Sequence, residues 1–187
     1  MRGRVQASAG FWAAVLAVWL FDPQLLLPSA LAAAVHEGGH LLALRLLGRE
    51  VAGLRLTAFG LELRLGPGRL SYGRELAAAL AGPAASLLGA WLAARWGQFL
   101  LAGVSLGLGL FNLLPVSPLD GGRAFFCLCA MVLPPPVCCG VTRWTAVVTA
   151  GLALGGAVAA FGRFGGVAPV GIALWLSVRA VGGGTGT

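Results

Sequence analysis

Residues 32–48 read AAAVHEGGHLLALRLLG, an apolar helical stretch that carries two histidines and a glutamate. His36 and His40 are four residues apart, which on a helix puts both imidazoles on one face, within reach of a single ion. Glu37 is their neighbour. In a His-Glu-x-x-His arrangement the glutamate points toward the ion's open position, where it can take a proton from water without being a ligand itself. Coincidence or a buried hydrogen-bond network would also account for the pattern. However, a chance match in such a chain is on the order of one in a few hundred, and ionisable groups on an apolar helix are expensive and usually functional. These are also the only two histidines in the chain. The residues therefore predict bound Zn2+ with His36 and His40 as ligands and Glu37 as general base. Gly38 and Gly39 would let a neighbouring helix or a substrate approach closely, and packing alone would explain them equally well.

A catalytic zinc held by two histidines is one protein ligand short, so other elements must bring a third donor. Composition says what those elements are. Over 187 residues the chain is 58% hydrophobic and 10% charged, with a mean hydropathy of +0.89. That is the balance of a chain with repeated apolar stretches of about 20 residues, which a bilayer requires. The net charge of +7 comes from arginines scattered between apolar segments, with no basic arm or aromatic-interleaved patch for nucleic acid. Spans are expected at about 6–21, 24–47, 76–95, 98–117, 144–161 and 165–181. The first is expected to be retained, since it ends at Phe21-Asp22-Pro23 without a small-x-small cleavage site. Arginines cluster before the first span, between the second and third, and after the fourth, whereas only Arg95 and Arg163 fall opposite. The positive-inside bias places both termini and the loop 48–75 in the cytoplasm. The segment 122–143, GRAFFCLCAMVLPPPVCCGVTR, is expected to be interfacial because Pro134-Pro135-Pro136 breaks a helix, a seventh crossing being the competing possibility.

This topology selects among six acidic residues, Asp22, Glu37, Glu50, Glu62, Glu75 and Asp120. The second and fourth spans both run inward, which puts His36, His40 and Asp120 at similar depth. Asp22 lies on the far side. Glu50, Glu62 and Glu75 belong to a loop and its flanks, where charge is ordinary. Asp120 is the expected third ligand. Its setting, FNLLPVSPLDGGR at 111–123, has prolines to end the helix and Gly121-Gly122 to permit a tight turn.

The loop 48–75 alternates apolar and polar residues in Leu54-Arg55-Leu56-Thr57 and Leu61-Glu62-Leu63-Arg64-Leu65. Short strands are expected there, with a reversal at Gly60, a turn at Gly66-Pro67-Gly68 and a third strand at 69–72. Such a sheet either rests on lipid headgroups or offers an edge to an extended peptide. The chain as a whole is thus expected to be an all-α polytopic membrane protein of about six transmembrane helices, with a small membrane-associated β-sheet between the second and third. It would form a single integral membrane domain, 1–187, with a catalytic core at about 24–130 and extra C-terminal helices at about 144–181. Cys127, Cys129, Cys138 and Cys139 fit no zinc spacing, and reduced structural cysteines are expected.

HEGGH followed some eighty residues later by NLLPVSPLDGG resembles the site-2 proteases, intramembrane zinc metalloproteases. LTAFG at 56–60 and ELAAALAGPAAS at 75–86 also look like that family's membrane-embedded sheet and following helix, and the pattern is most similar to the stage IV sporulation protein FB group. The resemblance implies a three-helix catalytic core in which His36, His40 and Asp120 hold zinc and Glu37 is the base. It further implies that Asn112 stabilises the oxyanion or the substrate backbone and that Pro118 helps to position substrate. The partners implied are a transmembrane or membrane-tethered protein substrate, the lipid bilayer and regulatory membrane proteins. Ser86 departs from the pattern, since many relatives carry Asn there. No nucleotide-sensing domain is expected after Thr187, so regulation would come from partners or substrate. A metal-ion transporter and an inactive membrane adaptor are the rival readings. The first lacks paired interrupted helices in two halves, and intact Glu37 argues against the second.

Single-cysteine variants labelled from each side of the membrane test the topology. Both termini and positions within 48–75 should react from the cytoplasm and position 163 from outside. A C-terminus found outside would make 122–143 a crossing.

Overall fold

The computed structural model of the chain describes residues 5–49, 51–57, 60–65, 70–164 and 168–182. The described chain is mostly helical. Strand β1 (Val5–Ala7) precedes α1 (Ala9–Phe21), a 3-10 turn (Pro23–Leu25) and α2 (Leu26–Leu46). Strands β2 (Val51–Thr57) and β3 (Gly60–Leu65) follow, then α3 (Tyr72–Arg95), α4 (Phe99–Asn112), α5 (Asp120–Val132), α6 (Pro135–Phe164) and α7 (Ala168–Gly182). These group into two compact units, one of Met1–Leu70 with Leu80–Phe111, the other of Ser71–Ala79 with Asn112–Thr187.

In the first unit the helix ends follow from local chemistry. Asp22 accepts a hydrogen bond from the Gln24 amide at 3.1 Å and opens the 3-10 turn that leads into α2. At the other end Gly48, with φ +72°, closes α2: its amide donates to Arg45 O at 3.0 Å and the Arg49 amide to Leu44 O at 2.9 Å. Gly97, with φ +71°, ends α3 in the same way through Ala94 O and Ala93 O. Both are Schellman caps, which need a residue that tolerates the left-handed region. Beyond α2, β2 is the centre of a three-stranded sheet, paired antiparallel to β3 and parallel to β1. Gly60, expected at the reversal, is instead the first residue of β3, opposite Thr57. The third strand is contributed by residues 5–7, not 69–72, since Tyr72 already begins α3. The expected turn at 66–68 and residue 69 lie outside the described residues.

α2 buries a single stripe, Ala32, His36, His40 and Leu44, four residues apart. α3 buries Gly82, Pro83, Ser86, Ala90 and Ala93 at close to helical spacing. The two stripes face each other with little between them. A Cβ added at Gly39 would lie 2.5 Å from Ala81 O and 2.7 Å from Ala85 Cβ, and one at Gly89 would lie 3.3 Å from Val35 Cγ1. Rising numbers on α2 meet falling numbers on α3, so the helices run antiparallel. α4 also packs on α3, where a Cβ on Gly109 would come within 3.1 Å of Ser86 Cβ.

In the second unit α5 begins at Asp120, two residues before the interfacial segment expected at 122–143, and runs unbroken to Val132. Pro134 separates it from α6, whereas Pro135 and Pro136 sit in the first turn of α6, where a missing amide is tolerated. α6 therefore begins nine residues before the span expected at 144. The Tyr72 and Phe126 rings pack edge to face at 6.3 Å, and Arg123 pairs with Glu75 at 3.3 Å on the surface. The four cysteines are free thiols, three of them buried.

Among the described residues two helices, Tyr72–Arg95 and Pro135–Ala159, are long and apolar enough to cross a membrane. Of the other spans expected from sequence, α2 keeps 21 residues, whereas α1, α4 and α7 have only 13, 14 and 15. At 1.5 Å per residue these reach only about 20–23 Å, against about 30 Å of hydrocarbon. α4 stops at Asn112 rather than 117 because Pro115 and Pro118 follow.

Because Gly39 has backbone against it and Gly38 has nothing within 4 Å, the two glycines should respond oppositely. Gly39→Ala should destabilise the protein by about 1–3 kcal/mol through overpacking. Gly38→Ala should leave stability unchanged or raise it by up to about 1 kcal/mol, since Ala is the better helix former. Thermal melting in detergent distinguishes them, and equal effects would contradict the α2–α3 apposition.

Candidate metal centre

The α2 stripe presents His36 and His40 inward, 4% and 8% exposed. Their Nε2 atoms are 3.3 Å apart and their rings meet edge to face with centroids 4.9 Å apart. The His36 Nδ1 is 2.9 Å from Ser86 Oγ on α3, and Ser86 is fully buried. His40 lies against Gly82: a Cβ there would collide with the imidazole at Nε2 and lie 2.6 Å from both Cδ2 and Cε1. The glycine is therefore a requirement of space.

Asp120 is the first residue of α5, where a carboxylate is favoured by the helix dipole. The segment before it folds back tightly, with Val116 N donating to Leu114 O at 2.8 Å and Leu119 N to Val116 O at 2.9 Å. Val116 is fully buried and Leu119 nearly so. A Cβ on Gly121 would run into the Leu113 and Leu114 carbonyls, and one on Gly122 would lie 2.6 Å from Val116 C. Gly121 and Gly122 were expected to supply a turn. Neither has positive φ, and both lie within α5. They are needed because the preceding loop packs against the first turn of the helix.

One ligand atom from each of His36, His40 and Asp120 lies within 4.8 Å of the other two. Two donors 2.0–2.1 Å from a tetrahedral zinc stand about 3.3–3.4 Å apart, which is the separation of the two Nε2 atoms. Two imidazoles and a carboxylate are a donor set of the catalytic type, leaving a fourth position for water or substrate. The residues therefore fit the ion. Glu37, half-buried, adjoins His36. Asn112 ends α4 and is half-buried, and Pro118 is exposed beyond a cis Ser117–Pro118 peptide. Neither is among the three donors. Asp22 caps the turn before α2 and Glu75 pairs with Arg123, which accounts for two of the acidic residues set aside from sequence. Sequence reasoning missed the roles of Gly82 and Ser86. Their signal was a spacing of four, matching that of the histidines.

Residues 68–155 match the model of Peptidase family M50. That stretch holds Gly82, Ser86 and Asp120. A protein of Mesorhizobium japonicum named a zinc metalloprotease is 38% identical over 112 residues, covering 58% of this chain and 26% of that protein. The zinc metalloprotease named Rip3 of Mycobacterium tuberculosis is 38% identical over 117 residues, 53% of this chain and 28% of its own length. The matches thus span about a quarter of these relatives. In fold the chain is similar to the Site-2 Protease from Methanocaldococcus jannaschii, with a TM-score of 0.65 at 17% identity, covering 98% of this chain and 91% of that one. The family model and the names of the relatives support Peptidase family M50, whereas the structural likeness, at 17% identity, shows the fold alone.

Purified protein should hold about one zinc per chain by elemental analysis. His36→Ala and Asp120→Ala should each lose most of it. Unchanged zinc in a folded Asp120→Ala protein would remove that carboxylate from the site.

Proposed function

We propose that this chain is an intramembrane zinc metalloprotease of the site-2 type, nearest the stage IV sporulation protein FB group, acting in regulated proteolysis of membrane-embedded or membrane-tethered proteins such as the precursor of a transcription or sigma factor. The observation that carries it is the three-donor group of His36, His40 and Asp120 beside Glu37.

Zinc bound there would supply Lewis acidity at the scissile carbonyl and lower the pKa of a water toward ~7. Glu37 would take a proton from the attacking water as the water oxygen adds to the carbonyl carbon. The carbon–nitrogen bond then breaks as Glu37 gives the proton to the leaving nitrogen. The Asn112 side-chain amide donates a hydrogen bond to the carbonyl oxygen as charge grows on it, and Pro118 helps to position the substrate. A helical substrate hides its amides in its own hydrogen bonds and must unwind before hydrolysis. β3, at one edge of the sheet, offers replacement partners to the extended segment.

The site is read as lying in a bacterial cytoplasmic membrane with both termini cytoplasmic and the sheet membrane-associated. Outward-facing Trp91, Trp144, Val148 and Leu152 on the two long helices support this, because an apolar exterior of that kind calls for lipid. α2 and the shorter helices α1, α4 and α7 are read as further membrane elements, completing six.

Glu37→Gln keeps the size of the side chain and loses the base, so it should cut the cleavage rate by about 10²–10⁴-fold while zinc stays bound. Wild type and Glu37→Gln co-expressed in the native host should differ in one or more membrane precursors that accumulate only with the variant. Equal cleavage by both forms would end the metalloprotease reading. Altered ion flux with no proteolysis in either would point to a transporter instead.

A further inference from the structure

We propose that Ser86 is a positioning residue for the metal, setting the tautomer of His36 so that its Nε2 lone pair faces the ion. The inference rests on the reading of His36 as a zinc ligand and deepens it. A neutral imidazole carries one N–H and one lone pair, and which nitrogen holds the proton is decided by what the other meets. Here His36 Nδ1 is 2.9 Å from Ser86 Oγ, and Ser86 is fully buried. The ring's other nitrogen is 3.3 Å from His40 Nε2, on the side where the donors converge. If Nδ1–H donates to the serine oxygen, the proton is held on the far side of the ring and Nε2 is left as an acceptor. Zinc-bound histidines usually donate their second N–H to an oxygen in this manner, and removing that oxygen costs about 10–100-fold in affinity.

The register of the two helices makes this more than a chance contact. His36 and His40 are one turn apart on α2. The residues opposite them on the antiparallel α3, Ser86 and Gly82, are also one turn apart. Gly82 makes room for one ring and Ser86 holds the other. Gly109 of α4 also packs on Ser86, where an added Cβ would be 3.1 Å from Ser86 Cβ. The serine is thus fully buried, with its hydroxyl oxygen 2.9 Å from the imidazole.

The test uses full-length protein in detergent and Ser86→Ala, with zinc affinity measured by competition against a chelator. Ser86→Ala should bind zinc about 10–100-fold more weakly and keep the thermal melting of the zinc-free wild type. Only two histidines are present, so imidazole 15N spectra resolve both rings, with His40→Ala assigning them. In the zinc-free wild type the His36 proton should be on Nδ1, and in Ser86→Ala it should distribute over both nitrogens. Ser86→Asn, which returns an oxygen acceptor, should recover affinity and tautomer together. Wild-type zinc affinity with an unchanged His36 tautomer in Ser86→Ala would overturn the proposal while leaving the zinc site intact. A wild-type chain that binds no zinc would overturn both.

Discussion

Two imidazole nitrogens 3.3 Å apart, buried in an apolar helix pair, are the constraint around which the first unit is organised. Lone pairs facing each other at that distance repel unless a proton or a cation lies between them. Screening by water is weak in such a setting, and an unpaired polar group costs more there than at a surface. The sequence meets the requirement with small residues. Gly39, Ala81, Gly82 and Ala85 let α2 and α3 approach until backbone meets side chain, as in membrane helix pairs that lack a hydrophobic driving force and associate by close van der Waals packing. Of the two glycines of HEGGH, one therefore serves the histidines indirectly. Gly39 allows the second helix to reach them, whereas Gly38 faces open space.

Some of this was legible from residues alone. The His-Glu-x-x-His spacing pointed to one helical face, and the surroundings of Asp120 to the third member of the candidate donor group, because both signals are local and chemically narrow. Alternation at 54–57 and 61–65 named two strands for the same reason. Nonlocal partners were hidden. β1 pairs in parallel with β2 across more than forty residues, and Val5–Ala7 carries too little pattern to be told from the start of an apolar span. Ser86 was visible only as a departure from a family pattern. What it touches depends on the register of two helices, which no local spacing reports.

Helix ends show the same division. Gly48 and Gly97 end α2 and α3 because a left-handed cap favours glycine. The proline run at 134–136 was read as a break through all its members, yet a proline ends a helix only from inside it, and Pro135 opens α6 instead. Span lengths were overestimated for a related reason. Hydropathy counts apolar residues whether or not the backbone is helical, and it carried the fourth span past Asn112 into Leu113-Leu114-Pro115, where the chain folds back on itself.

Asp120 is fixed by different means from the histidines. Its position follows from the backbone of 113–119, whose carbonyls press against α5 where Gly121 and Gly122 have no side chains. Buried Val116 and Leu119 anchor that loop from within, and the amide of Arg123 donates to Leu119 O at 3.1 Å, tying the loop to the first turn of the helix. The histidines depend on which side chains are absent from a neighbouring helix, whereas the aspartate depends on the path of its own chain. Replacing a small residue on α3 displaces a ring but leaves Asp120 on its helix. Lengthening or stiffening 113–119 moves the start of α5 and with it the carboxylate, without touching the α2–α3 pair. A ligand set assembled in this way can change its supporting residues while its donors keep their type.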